Sequence, residues 1–326
     1  MGSDDVLLQR LEAGETLAAS RAMSVIERGG PEAESLLEAL HPKTGRAWRI
    51  AFTGPGGAGK SSLIDRVIAR ERAHGRTIGV VAEDPSSPFS GGAILGDRVR
   101  MSHAQGDAGV FVRSLASRGS ETGLSALAGE LADVMDAFGR DLVVLESMGV
   151  GQVETRVRYM ADTVVVVLTP EAGDDVQTMK SGLLEVADIL VVNKCDRPGA
   201  EALAADLKSV AALRERSRGW ATPVVQTSVT EDRGIDALEA ALESHRAFLQ
   251  QDGRREARRR EALRERVRLL VEERVRADLW RDPTLAARFD AILEAVVGGR
   301  TSPHRAARDL AAAREAAAPN SSHHRR

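Results

Sequence analysis

Short apolar runs recur along the chain, and stretches with apolar positions at helical spacing separate them. The run VVVVL at 164–168 is apolar at every position, which is typical of a strand covered on both faces. Seven such runs predict strands at 48–53, 77–82, 110–112, 141–146, 163–168, 189–193 and 224–227. Strands that alternate with helices predict an α/β fold, doubly wound, with a mostly parallel sheet flanked by helices.

Helical segments are predicted on both sides of this alternating region. Residues 5–40 have leucines at helical spacing, and Gly29-Gly30-Pro31 interrupts them. Beyond about residue 250 an Arg- and Glu-rich stretch carries one apolar stripe, formed by Leu263, Val267, Leu270, Val271, Val275 and Leu279. Because charges of both signs are interleaved there, a solvated helix or a dimerisation arm is favoured over a nucleic-acid surface.

Composition narrows the classes of function. The formal net charge of −3 gives no general attraction to nucleic acid or to an anionic membrane. Cys195 is the single cysteine, so one chain cannot build a disulfide framework or a thiolate metal cluster. The N-terminal residues are acidic, and no stretch reaches the roughly 18 apolar residues of a membrane span. We therefore expect a cytoplasmic protein.

The strongest chemical signal lies between the first predicted strand and a helical run. Residues 54–61 read GPGGAGKS and fit the pattern G-x-x-x-x-G-K-[ST] of a P-loop. Its backbone amides and the following helix N-terminus would hold a polyphosphate, while Lys60 would reach the β- and γ-phosphates and Ser61 would bind Mg²⁺. The predicted phosphate-binding residues are Gly54, Gly56, Gly57, Ala58, Gly59, Lys60, Ser61 and Ser62.

A second motif predicts which base is bound. Asn193, Lys194 and Asp196 follow a predicted strand as N-K-x-D. The Asp196 carboxylate can accept hydrogen bonds from guanine N1–H and the exocyclic amine, and adenine has no matching donors. The motif therefore favours GTP over ATP. Ser228 and Val229, after the last predicted strand, are further candidates, as a backbone contact to guanine O6.

Acidic residues at predicted strand ends suggest the metal and hydrolysis site. Glu146 ends an apolar strand and would hold Mg²⁺ through a water, while Gly149 could approach the γ-phosphate. Asp84 ends another predicted strand and Asp97 opens a predicted helix, with a Ser-, Pro- and Gly-rich loop between them. Both could converge on the metal and the attacking water, or Asp97 could cap its helix.

At this loop the sequence resembles the MeaB/ArgK family of methylmalonyl-CoA mutase-associated GTPases, which includes the human methylmalonic aciduria type A protein. The likeness covers roughly residues 15–250. It is carried by the stretches TGRAWRIAFTGPGGAGKSS, EDPSSPFSGGAILGDRVRM, FVRSLASRGSETGLS, VLESMGVGQVET and GDDVQTMKSGLLEVADILVVNKCD. The resemblance implies a P-loop GTPase of the metallochaperone-related branch. Such proteins act as GTP-dependent chaperones of adenosylcobalamin-dependent acyl-CoA mutases, with adenosylcobalamin held by the mutase.

The resemblance also implies roles for particular residues. Asp84, Asp97 and Glu146 would form the magnesium and hydrolysis site together with Lys60 and Ser61. A further switch toward the mutase would contain Asp174, Asp175, Gln177 and Lys180. The C-terminal helices would form a homodimerisation arm, so the expected organisation is an N-terminal helical segment (1–45), a P-loop GTPase domain (46–250) and a C-terminal helical arm with a disordered tail (251–326).

Some positions depart from the family pattern, and they leave alternatives open. The second switch reads ESMGVGQVE where ETVGVGQSE is more common, and residues 169–172 read TPEA where glycines are common. The partner could therefore be methylmalonyl-CoA mutase or a relative such as isobutyryl-, ethylmalonyl- or 2-hydroxyisobutyryl-CoA mutase. The alternatives are a nickel-insertion GTPase, for which one cysteine and scattered histidines supply no metal cluster, a protein kinase, and an adaptor that needs no nucleotide.

Overall fold

A seven-stranded parallel sheet forms the centre of the protein. The computed structural model describes residues 3–84, 101, 103, 106–116, 126–147, 154–172, 183–281 and 283–317. Within these residues the strands are β1 (Trp48–Thr53), β2 (Ile78–Asp84), β3 (Val110–Ala116), β4 (Leu142–Glu146), β5 (Thr163–Leu168), β6 (Ile189–Val192) and β7 (Val224–Gln226). Their order across the sheet is β3-β2-β4-β1-β5-β6-β7, and every pair is parallel. The predicted parallel α/β fold is confirmed.

The edge strand β3 differs most from its prediction, because it is four residues longer than the run 110–112. Arg113 and Ser114 interrupt the apolar run, yet both stay in register with β2. The Arg113 guanidinium lies against helix α2 (Thr16–Arg28), where it pairs with Glu27 and donates to Ser24. A polar strand segment that is paired in this way is not visible as an apolar run.

Helices cover the sheet and follow the predicted alternation. Those of the first part are α1 (Ser3–Glu12), α2, α3 (Pro31–Leu40), α4 (Lys60–Ala73), α5 (Ala126–Ala137), α6 (Leu183–Val186), α7 (Ala200–Arg218) and α8 (Ile235–Gln250). Short 3₁₀ turns lie at His41–Lys43, Glu154–Tyr159 and Pro170–Ala172. The predicted break at Gly29-Gly30-Pro31 separates α2 from α3, and Pro31 is the first residue of α3, where its missing N–H costs nothing.

The two faces of the sheet form two apolar cores. Alternate residues of the central strands belong to opposite cores, for example Val164 and Val166 to one and Val165 and Val167 to the other. The first core receives side chains from the three N-terminal helices and from α5, α6 and α7, while α4 and α8 supply the second. The N-terminal helical segment therefore packs into the main hydrophobic core.

The chain divides into two compact units, residues 1–262 and 263–326. Helix α9 (Arg254–Arg281) begins in the first unit, and the second unit continues with α10 (Pro283–Val297) and α11 (Pro303–Ala317). Within the second unit the Trp280 and Phe289 rings meet edge to face at 5.2 Å between centroids. The predicted long Arg-rich helix is confirmed. No described helix combines the length and apolarity needed to cross a membrane.

Candidate functional site

The candidate site lies where the parallel strands end. The P-loop follows β1, Glu146 closes β4, Asn193 follows β6, and Thr227 follows β7. Because these strands are parallel, their carboxyl ends share one edge of the sheet, where α/β proteins bind ligands. The motifs predicted from distant parts of the sequence are therefore brought to the same edge.

Two glycines fix the path of the P-loop. Gly54 has φ 138° and Gly59 has φ 87°, which are conformations that side chains rarely adopt. A Cβ at Gly54 would overlap the carbonyl oxygen of Val167 in β5, and one at Gly59 would overlap the Asn193 amide. The loop can approach its neighbours this closely only because both residues lack a side chain.

Lys60 is the first residue of α4 and is buried, with 7% of its surface exposed. Its Nζ donates to the carbonyl oxygens of Gly54 at 2.8 Å and Pro55 at 3.0 Å. These bonds fold the ammonium back over the loop that would receive the phosphates. The N-terminus of α4 adds positive partial charge at the same place, so the local field favours an anion.

Ser61 and Glu146 meet beside the P-loop. The Ser61 hydroxyl donates to Glu146 Oε1 at 2.7 Å, and both residues are buried. The fold type implies a magnesium ion with its nucleotide. A hydroxyl and a carboxylate, both hard oxygen donors, fit that ion, which prefers oxygen ligands and keeps several waters.

Asn193 joins the P-loop to the base motif. Its Nδ2 donates to the Ala58 carbonyl at 2.8 Å, and its Oδ1 accepts from the Thr227 hydroxyl at 3.1 Å. All three residues are almost fully buried. The side chain therefore connects the phosphate loop after β1 with the loop after β7, and its own peptide N–H donates to Leu168 of β5.

Asp196 is exposed at the same edge, three residues beyond the buried Asn193. Its pKa is lowered, chiefly by a hydrogen bond from the Ser228 side chain and by one from its own backbone, with smaller contributions from the charges of Arg233 and Lys194. The carboxylate is thus ionised at neutral pH and suited to accept hydrogen bonds. Lys194 has a positive φ of 56° and pairs with Glu171 at 3.3 Å.

The remaining predicted residues are placed to different extents. Gly56 and Gly57 are exposed in the P-loop, Ser62 lies half-buried on α4, and Val229 is half-buried with its carbonyl 3.5 Å from Arg66. The backbone of Asp84 ends β2 at the same edge, but its side chain lies outside the described residues. Also outside them are Asp97, Gly149, Asp174, Asp175, Gln177 and Lys180.

Three features of the site were missed at the level of sequence. The buried Ser147 hydroxyl donates to Thr53 Oγ1 at 2.7 Å and links the ends of β4 and β1. The Thr227 hydroxyl donates to Asn193 Oδ1 and so holds that side chain in place. Glu171 pairs with Lys194 and with Arg197. For the Ser147 and Thr227 contacts, the sequence offered one signal, which is a small hydroxyl residue directly after a predicted strand or at its end.

Apart from the Ser61–Glu146 pair, the part of the chain that the structure describes contains no cluster of side chains suited to a metal ion. No group of three or more His, Cys, Asp or Glu side chains there is arranged to hold a metal ion. Cys195 is buried, and its sulfur accepts from Arg233. The described residues therefore give the nickel-storing alternative no support.

Residues 19–284 match the family model described as methylmalonyl Co-A mutase-associated GTPase MeaB. A putative GTPase from Pyrococcus abyssi is 40% identical over 321 residues, covering 91% of this chain and 98% of its own. The mitochondrial methylmalonic aciduria type A homolog of Mus musculus is 30% identical over 264 residues, which are 80% of this chain and 64% of its own. A crystal structure of LAO/AO transport system kinase is 27% identical, with a TM-score of 0.74, covering 97% of this chain and 99% of that one.

Proposed function

This chain belongs to the family of methylmalonyl Co-A mutase-associated GTPases, MeaB, and we propose that it is the GTP-dependent chaperone of an adenosylcobalamin-dependent acyl-CoA mutase. It is a GTPase, a hydrolase that converts GTP to GDP and phosphate. The single observation that carries the proposal is the family match over residues 19–284, which includes the P-loop and the base motif. The proposed task is to gate cofactor loading and to protect or reactivate the mutase.

Hydrolysis would proceed by in-line attack of water on the γ-phosphate. Lys60 and the amides of the P-loop would bind the phosphates and stabilise negative charge as it develops. Asn193 would hold the P-loop against the base motif, where Asp196 would recognise guanine and the backbone at Ser228 and Val229 would approach its O6. These proposed roles are supported by the position of the motifs at one edge of the sheet and by the contacts of Asn193.

Magnesium, when bound, would neutralise part of the negative charge of the phosphates. Ser61 and Glu146 are the described candidates to hold it, and their oxygens already lie 2.7 Å apart. We propose Asp84 and Asp97 as the other acids of this site, with Gly149 near the γ-phosphate. Asp174, Asp175, Gln177 and Lys180 are proposed as the switch that contacts the mutase, because loss of the γ-phosphate must change contacts in order to change affinity.

Nucleotide selectivity is the first test. We expect calorimetry with Mg²⁺ to give tight binding of GTP and much weaker binding of ATP, because adenine lacks the donors that Asp196 would accept from. Equal affinity for the two nucleotides would refute the assignment of Asp196.

The partner is the second test. A mutase such as methylmalonyl-, isobutyryl- or 2-hydroxyisobutyryl-CoA mutase should be retained by the immobilised full chain to different extents with GDP and with a non-hydrolysable GTP analogue. Retention that is the same in both states, or no retention of any such mutase, would contradict the chaperone role. Transfer of labelled γ-phosphate to a protein would instead support a kinase, the activity in the name of the solved relative.

We also propose that the C-terminal helices form a homodimerisation arm. The second unit exposes apolar side chains that a monomer would leave in water, namely Leu263, Val267, Leu270, Val271, Val275, Trp280, Leu293 and Val297. Sedimentation should show that the full chain is a dimer and that the double variant Val267→Glu/Val271→Glu is a monomer. A charge-matched change on the same helix, Arg268→Glu, should remain dimeric, and a monomeric full chain would refute the arm.

A further inference from the structure

The loop between β7 and α8, at the base-binding end, is closed by a short antiparallel bridge. Ser228 donates to the Arg233 carbonyl and Arg233 donates to the Ser228 carbonyl, each at 2.9 Å. Gly234 then turns the chain into α8 with φ 76°, where a Cβ would overlap the carbonyl oxygen of Gln226. The backbone of Arg233 is therefore held at a fixed place beside the end of β7.

From this place the Arg233 side chain reaches across to the base motif. Its Nη2 donates to the Cys195 carbonyl at 3.0 Å and to Cys195 Sγ at 2.9 Å, and its Nε lies 3.3 Å from the same sulfur. The Cys195 peptide N–H donates to Thr227 at 3.0 Å. Cys195 is thus held on both sides by the loop after β7, through its backbone and its side chain.

Cys195 directly precedes Asp196, the proposed guanine-recognising carboxylate. Guanine N1–H and the exocyclic amine lie at fixed positions on one edge of the base. The carboxylate can accept from both donors only if it is held in one position. We propose that Arg233 is a positioning residue for guanine recognition, which holds Cys195 and thereby the position of Asp196. This proposal rests on the proposed function, since it deepens the account of the base site.

The chemistry of arginine is what this position uses. A guanidinium presents several donors in a planar fork, so it can contact the Cys195 carbonyl and sulfur at the same time. A lysine ammonium is a point charge on a mobile stem and cannot reproduce both contacts in one fixed geometry. Arg233→Lys should therefore keep the local charge but lose the positioning.

The test compares GTP with inosine triphosphate, which keeps the N1–H of the base but lacks the exocyclic amine. One charge-assisted hydrogen bond corresponds to roughly ten- to hundred-fold in affinity, so the wild type should prefer GTP by that factor. In Arg233→Ala we expect GTP affinity to fall about ten-fold and inosine triphosphate affinity about three-fold or less, because two bonds are misaligned in one case and one in the other. Arg233→Lys should resemble Arg233→Ala.

Tripolyphosphate and a control variant separate positioning from general damage. Affinity for tripolyphosphate should be unchanged in both Arg233 variants, because Arg233 does not contact the P-loop in any described bond. Arg28→Ala, which removes an exposed ion pair between Arg28 at the end of α2 and Glu32 in α3, should keep the full preference for GTP. If Arg233→Ala does not fold, the same measurements on Arg233→Lys decide the question.

Each outcome bears on one proposal. An unchanged GTP preference in both variants, or equal losses for GTP, inosine triphosphate and tripolyphosphate, would overturn the positioning role of Arg233. A wild type that does not distinguish GTP from ATP would instead overturn the proposed guanine site itself. A double-mutant cycle with Cys195→Ala should be non-additive if Arg233 acts through Cys195, and additive losses would also overturn the inference.

Discussion

Replacing Asn193 by alanine should weaken the binding of both ends of the nucleotide, although the side chain is one small amide. It donates to Ala58 in the P-loop at 2.8 Å and accepts from Thr227 at 3.1 Å. Only 3% of its surface is exposed, so water cannot easily replace these two bonds. The substitution would leave the Ala58 carbonyl and the Thr227 hydroxyl without this partner.

The magnitude follows from the two bonds. A hydrogen bond between neutral groups contributes about 0.5–1.5 kcal/mol net, and a buried group that loses its partner costs about 1–3 kcal/mol. We expect Asn193→Ala to lower the free energy of unfolding by about 2 kcal/mol. Affinity for GTP should fall about ten-fold or more, since 1.4 kcal/mol corresponds to a factor of ten.

Calorimetric titration with GTP and with tripolyphosphate is the measurement, accompanied by urea unfolding. Tripolyphosphate has no base, so a loss of its affinity in Asn193→Ala reports on the P-loop alone. Thr227→Val is the matched variant, because it removes one of the two bonds and keeps the side-chain shape, and it should affect GTP more than tripolyphosphate. Tripolyphosphate affinity that stays at the wild-type value in Asn193→Ala would refute the coupling of base motif and P-loop.

Three further changes test other parts of the structure. Lys60→Ala should abolish tight GTP binding in calorimetry, because the loop loses its buried ammonium, and unchanged affinity would contradict the phosphate site. Asp196→Asn should weaken GTP binding and gain binding of xanthosine triphosphate, whose altered base edge suits an amide, and failure to gain it would argue against direct base contact. Burial alone would raise the pKa of Asp188, but the charges of Arg258 and His245 outweigh burial and lower that pKa. The ionised carboxylate therefore stabilises the fold above about pH 4, and this stability should be lost as the pH falls through the lowered pKa. Arg258→Ala removes the two bonds, of 2.7 and 3.1 Å, that Arg258 donates to this buried carboxylate. Thermal and urea unfolding should show a loss of about 3–5 kcal/mol, and a loss below about 1 kcal/mol would contradict this assignment.

The sheet and the P-loop could be predicted because both are encoded locally. Each strand is a run of apolar residues, and the P-loop is one contiguous motif between a strand and a helix. The end of β3 could not be predicted in this way, since Arg113 is stabilised by Glu27 on a helix far away in sequence. The proposed roles of Asp97, Gly149 and residues 174–180 stay predictions.

Contacts between distant residues explain what the sequence did not reveal at the C-terminal end of the first unit. Arg258 pairs with Asp188 and Arg259 pairs with Asp162, and both aspartates are buried at the starts of strands. These pairs attach the first turns of α9 to the unit that ends at Ala262. In the sequence the same arginines look like part of a uniformly charged helix, because nothing local distinguishes them from their neighbours.

The polar contacts of the site divide into two halves that meet at the P-loop. Asn193 joins the P-loop to the base motif, whereas Ser61 joins it to Glu146, and Ser147 joins the ends of β1 and β4. Hydrolysis of GTP leaves the base and the α- and β-phosphates unchanged, so we expect the contacts of Asn193 with the base motif to stay the same. The γ-phosphate and its metal would lie against the other half, and Glu146 leads directly into residues 148–153. In the proposed site the contacts of GTP and GDP would differ at Lys60 and on the β4 side, so we expect a signal of nucleotide state to begin there.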